Sequence, residues 1–125
     1  MKVLLSIKPI YADKIFAGTK KYEFRRSIFK NPNIKTIVVY SSAPVQKVIG
    51  EFEIESILQS NISELWDMTA QESGINKEFF FEYYKGKDRG FAIKIKNTKK
   101  YDKPLDIKAD FKLTPPQSFV YIHGI

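Results

Sequence analysis

The chain has 125 residues, 21 Lys and Arg against 14 Asp and Glu, a formal net charge of +7, and 43% hydrophobic residues. That length fits one domain over residues 1–125 with a core of its own, and the apolar content excludes a disordered chain. Zero cysteines exclude disulfides, thiolate catalysis and cysteine-held zinc, the single histidine excludes a multi-histidine metal centre, and no apolar stretch reaches the length of a membrane helix.

Residues 3–7 form a short apolar run stopped by Pro9, which predicts a buried strand. Ile10, Ala12, Ile15 and Phe16, closed by Ala17-Gly18, predict a two-turn helix with a glycine cap. Residues 20–26 alternate, with Tyr22 and Phe24 on one face and Lys21, Glu23 and Arg25 on the other, a strand with one polar side. After a turn at Asn31-Pro32-Asn33, the β-branched residues 34–40 predict a central strand, broken by Ser41-Ser42-Ala43-Pro44. Residues 45–58 make the longest strand, bent or bulged at Gly50. Val48, Phe52, Ile54 and Leu58 share one parity and Glu51, Glu53 and Glu55 the other, a solvated stripe too extended along the strand to hold one metal ion.

Asn61 with Glu64 three residues on resembles a capping box, opening a helix that runs to about residues 72–74. A second helix, residues 76–84, carries Phe79, Phe80, Tyr83 and Tyr84, whose helical spacing favours core packing over a base-stacking platform; Trp66 reads the same way. Residues 85–90 form a basic glycine loop without the pattern of a triphosphate-binding loop. Phe91, Ile93 and Ile95 alternate with Ala92, Lys94 and Lys96 in a further strand. The tail holds residues 101–105, a polar loop, Pro115-Pro116 and a final strand over residues 118–122; His123 has no visible partner and takes no role. The sum is an α+β fold: a small mixed β-barrel of five or six strands decorated by about three short helices.

Charge is unevenly spread: 9 basic and 2 acidic groups in residues 1–35, 2 and 8 in residues 36–82, and 10 and 4 in residues 83–125. Basic ends around an acidic middle can place both ends on one face, which would attract a polyanion, nucleic acid first among them.

Ser6-Ile7-Lys8-Pro9 followed by Gly18-Thr19-Lys20-Lys21-Tyr22-Glu23-Phe24-Arg25-Arg26 resembles the signature of ASCH domains in the PUA-like superfamily. Tyr40-Ser41-Ser42-Ala43-Pro44, the segment from Val48 to Ile54, and that from Gly90 to Ile95 follow in the family's order, so the resemblance covers most of residues 1–96. It implies a PUA-like barrel with a cleft between barrel and helices, and RNA or a modified nucleotide as ligand. A nucleoside-like small molecule or a protein partner are the alternatives; a cytoplasmic protein with no membrane, metal or cofactor is expected. Lys8, Lys20, Lys21, Arg25, Arg26, Ser41, Ser42, Lys87 and Arg89 are the nucleic-acid-binding candidates.

One bacterial branch of the family removes the acetyl group from N4-acetylcytidine. Its catalytic lysine falls on Lys20, its threonine on Glu23 and its glutamate on Glu72. A carboxylate at position 23 would hold a neighbouring ammonium charged, whereas Lys21, Arg25 and Arg26 would favour the neutral amine. Glu23 therefore reads as a member of an ion-pair ladder, as a ligand contact, or as a catalytic base.

Overall fold

The computed structural model describes residues 1–123. Six strands form one sheet: β1 (Lys2–Ile7), β2 (Tyr22–Arg25), β3 (Thr36–Ser41), β4 (Lys47–Asn61), β5 (Arg89–Leu105) and β6 (Phe119–Ile122). Their spatial order is β2-β5-β4-β3-β1-β6. β1 runs parallel to β3 and every other pairing is antiparallel, so the sheet is mixed, as expected. The parallel pair is the buried centre, which is why residues 3–7 and 37–41 are nearly continuous in apolar side chains.

The α+β fold is the expected one, and its small barrel is not closed: the sheet is open, with β2 and β6 as its edges. Its curl comes from β4 and β5, whose ladder slips register three times, at residues 48–50, 51–53 and 54–56. Gly50 sits at the first slip, where a Cβ would stand 2.6 Å from both the Lys99 carbonyl oxygen and the Phe16 ring. The two edges approach through side chains instead of a ladder: Arg25 at the end of β2 donates to Ser118 Oγ, just before β6, at 2.7 Å.

Four helices fill the connections: α1 (Pro9–Ala17), α2 (Ile62–Thr69), α3 (Lys77–Tyr83) and α4 (Ile107–Phe111). α1 begins on Pro9, where the missing N–H costs nothing, and ends on Gly18 in the left-handed conformation. Asn61 caps α2 by accepting from Glu64 N–H, as the capping box predicts, but that helix stops at Thr69 and continues as a 3-10 turn, Ala70–Glu72. Two features differ from expectation. β5 continues through residues 97–105, where exposed lysines disguise a strand, and Asp106 caps α4 by accepting from Lys108 and Ala109 N–H.

Three apolar clusters result. α1 covers Val3, Leu5, Ile37, Val39 and Phe52 on one sheet face; α4 and the tail cover Leu4, Val38, Val48 and Ile122 on the other; α2 and α3 pack Leu65, Phe80 and Tyr84 against Tyr22, Phe24 and Ala92.

The β4–β5 ladder also corrects the charge reading. It sets Glu51 opposite Lys99 and Glu53 opposite Lys96, and Lys94 reaches Glu55 at 3.0 Å. Directly opposed residues share a face, so the acidic middle and the lysine-rich strand neutralise each other rather than forming one basic surface. Glu51 is further taken up by Lys2 at 3.4 Å and by the Tyr101 hydroxyl at 2.8 Å, and Glu53 by the Asn97 amide.

Candidate nucleic-acid interface

A cleft of about 560 Å³ opens where α1, α3 and the 113–118 segment meet the ends of β1, β2 and β3. Its polar lining includes Ser6, Lys8, Lys20, Glu23, Arg25 and Ser42, and its aromatic lining Tyr11, Phe24, Tyr40, Phe79 and Tyr83. The size suits a nucleotide or a comparable small molecule, since ligand pockets run from roughly 300 to 1,000 Å³.

Lys20 is the most unusual side chain in it. It is only 2% exposed. Its ammonium donates to the Ser73 carbonyl at 3.1 Å and lies 4.7 Å from the centre of the Phe24 ring and 5.6 Å from that of Tyr11. Gly74 forms its floor: φ there is +72°, and a Cβ would fall 2.6 Å from Lys20 Cβ, so only glycine leaves the lysine its place. Burial strips water from the ammonium and lowers its pKa to about 8, against the pull of Glu23, which raises it; Lys14 adds a lowering push. The sequence assigned that push to Lys21, Arg25 and Arg26, but α1 brings Lys14 close instead.

Glu23 and Arg25 alternate onto the cleft side of β2, as the parity requires. Arg25 Nη1 sits 3.1 Å from Glu23 Oε2, with side-chain exposures of 11% and 8%, and it reaches the Ser6 carbonyl at 3.5 Å. The structure thus holds an Arg25–Glu23 pair on the cleft wall, while Lys21 points out of it and is exposed.

Five of the candidates, Lys8, Lys20, Glu23, Arg25 and Ser42, line one cleft. The others do not. Lys21, Arg26, Lys87 and Arg89 are exposed elsewhere because strand parity or the turn at residues 84–88 turns them away. Ser41 is buried on the opposite parity from Tyr40, and its hydroxyl has no hydrogen-bond partner among the described residues. Glu72 is exposed on the 3-10 turn; what it offers the signature is its backbone carbonyl, which accepts from Lys21 N–H at 2.9 Å.

The α3 aromatics divide. Phe80 and Tyr84 are core, and the Tyr84 hydroxyl sits between two carbonyls that can accept its one proton, Phe91 at 2.9 Å and Arg25 at 3.2 Å. Phe79 and Tyr83, one position back at the same i, i+4 spacing, face the cleft, their rings 10° from parallel, and Tyr11 packs on Phe79 at 5.4 Å between centres. The Tyr83 hydroxyl donates to the Phe24 carbonyl at 3.0 Å, and its pKa is raised chiefly by burial. Tyr11 has a sequence signal too, as the aromatic off the buried Ala12–Ile15 face of α1. Nothing local pointed to Pro115, Pro116 and Gln117, which complete the wall.

Comparison with known proteins gives this geometry its setting. The ASCH domain family matches residues 5–105. The chain belongs to the ASCH family. Its fold is the PUA-like one of that family: the crystal structure of ASCH from Zymomonas mobilis superposes with a TM-score of 0.88 at 26% identity, covering 98% of this chain and 87% of that one. The N-terminal domain of Staphylothermus marinus McrB shares the fold at a TM-score of 0.54 and 15% identity. In sequence, an ASCH domain-containing ribonuclease of Zymomonas mobilis is 28% identical over 126 residues, 97% of this chain and 84% of that protein. Large ribosomal subunit protein uL22 of Ureaplasma parvum serovar 3 is 30% identical over 121 residues, 96% of this chain. This chain spans 39% of that ribosomal protein's length. Among the described residues no helix is long and apolar enough to cross a membrane.

Proposed function

We propose that this ASCH domain binds single-stranded RNA by taking one nucleotide into the cleft. The observation that carries the reading is the cleft's mixed lining: the aromatic residues Tyr11, Phe79 and Tyr83 share it with cationic Lys8, Lys20 and Arg25. A base stacks on the aromatic residues, worth about 1–3 kcal/mol per base, and the cations meet its phosphates and edge. The Zymomonas relative's description as a ribonuclease supports RNA as the polyanion.

The binding is pocket-centred. Three cations line the cleft and one of them is paired with Glu23. The logarithm of affinity therefore falls with the logarithm of salt at a slope of about −1.5 to −2, using about −0.7 per single-strand phosphate. Titration of a labelled single-stranded RNA at several salt concentrations tests this. A slope near −6 would mean that scattered surface lysines do the binding, and no affinity even at low salt would reject RNA altogether.

A second reading is favoured by one observation, the pKa of Lys20 near 8, which leaves a fraction of neutral amine to act as a base. In that reading the cleft hydrolyses an acylated nucleoside, with Glu23 beside the lysine in place of Glu72. Cytidine released from N4-acetylcytidine by the wild type and not by Lys20→Ala supports it; no release rejects it.

A further inference from the structure

Lys20 is an amine that the fold has prepared beyond what anion binding requires. A lysine meant only to attract phosphate works best exposed and fully charged, as Lys8 is at the cleft mouth. Lys20 is instead 2% exposed, packed between the Tyr11 and Phe24 rings, fixed by the glycine floor at Gly74, and hydrogen-bonded among the described residues only to the Ser73 carbonyl. Lys20 and Glu23 both line the nucleotide-sized cleft, and the Glu23 charge acts on the Lys20 ammonium. A desolvated amine on the wall of a cleft, with a carboxylate on the same wall, is an arrangement that forms imines with carbonyl compounds.

We propose that Lys20 captures the aldehyde of a base-free ribose on an RNA strand, forming a reversible imine in the cleft. The inference rests on the RNA-binding reading. The neutral Nζ adds to the C1′ carbonyl of the open-chain sugar, forming the C–N bond as the carbonyl π bond breaks. One proton moves from nitrogen to the new oxygen, giving a carbinolamine. Glu23 takes the remaining N–H proton and passes a proton to that hydroxyl, which leaves as water as the C=N bond forms. No oxidant, reductant or further reactant is consumed. A base-free sugar leaves the aromatic residues of the cleft uncovered, so its C1′ lies free to approach the lysine that an intact nucleotide would meet only with its base.

Selectivity over other lysines follows from charge state. At pH 7.5 an amine with a pKa near 8 is about one-quarter neutral, whereas an ordinary lysine is about 0.1% neutral. The chain has 18 lysines. With equal access, Lys20 alone would still take about nine-tenths of the reaction. Burial sets that charge state first; the charged groups that act on it are Glu23 from β2 and Lys14 from α1, and the neutral rings of Tyr11 from α1 and Phe24 from β2 pack near the ammonium.

The test uses the full chain with a single-stranded RNA carrying one internal base-free ribose. Sodium cyanoborohydride traps the imine as a stable secondary amine, and the adduct is digested and mapped by mass spectrometry. The expected result is one dominant adduct on the peptide containing Lys20, lost at least tenfold in Lys20→Arg and retained in Lys96→Arg. Thermal melting and binding of intact RNA are measured on each variant, so that an unfolded variant is recognised. Mapping on the wild type decides the matter without any variant. Adducts spread over surface lysines, or no adduct while intact RNA binds, overturn the imine alone. No adduct together with no binding of intact RNA overturns both it and the RNA-binding reading.

Discussion

Replacing Lys20 by methionine keeps the stem and removes the charge. The folded chain holds this lysine's pKa near 8 against an ordinary 10.5, chiefly because the ammonium is buried. A depressed lysine pKa means that folding disfavours the protonated form: the unfolded chain binds more protons between pH 8 and 10.5, so stability rises with pH across that window. Below pH 8 the penalty is complete, about 3 kcal/mol for a difference of about 2.5 units at 1.36 kcal/mol each. Lys20→Met removes that penalty and loses one hydrogen bond to the Ser73 carbonyl, worth about 1 kcal/mol. The variant is therefore more stable than the wild type at pH 7 by about 2 kcal/mol, a rise in Tm of about 8 °C for a chain of this size. Urea unfolding at pH 7 and about pH 9.5 provides the assay. The difference between the two proteins shrinks by about 2 kcal/mol over that interval, and taking the difference cancels the other titrating groups. A difference that does not change with pH, or a variant less stable than the wild type at pH 7, would refute the claim that the fold holds a strained cation for use.

Other substitutions separate binding from packing. Phe79→Ala weakens single-stranded RNA binding about tenfold in a fluorescence titration with little change in Tm, because that residue lines the cleft and is 36% exposed. Its neighbour Phe80→Ala removes a fully buried ring and costs about 3–5 kcal/mol in a denaturant melt. Arg25→Ala leaves Glu23 buried without its cation and costs about 3 kcal/mol in the same melt, most of which Glu23→Gln in the same chain restores. Gly74→Ala forces a methyl onto the Lys20 stem at positive φ; it lowers stability by about 1–3 kcal/mol and halves RNA affinity or worse.

Much of this molecule is written locally. Alternation exposed Glu23 and Arg25 together on β2, the Pro9 and Gly18 punctuation bounded α1, and Asn61 with Glu64 marked the start of α2. What the sequence concealed depends on which strands meet. Lys94, Lys96 and Lys99 look like a basic surface until β5 lies beside β4 and its glutamates. Closure into a barrel depends on whether β2 and β6 pair, and that is decided by how far the three register slips bend the longest ladder. The cleft itself joins residues more than a hundred positions apart, Ser6 Oγ donating to the Pro116 carbonyl at 2.6 Å, and no spacing rule reaches that far. Within α3, periodicity found the aromatic residues but could not divide Phe79 and Tyr83 from Phe80 and Tyr84, since each pair has the same i, i+4 step.

Photo-crosslinking of 5-bromouridine-substituted single-stranded RNA, with the attached peptides identified by mass spectrometry, tests the central claim most directly. Binding in the cleft places crosslinks on Tyr11, Phe79 or Tyr83, and Phe79→Ala reduces them. Crosslinks confined to the lysine-rich residues 94–103 of β5 would contradict it.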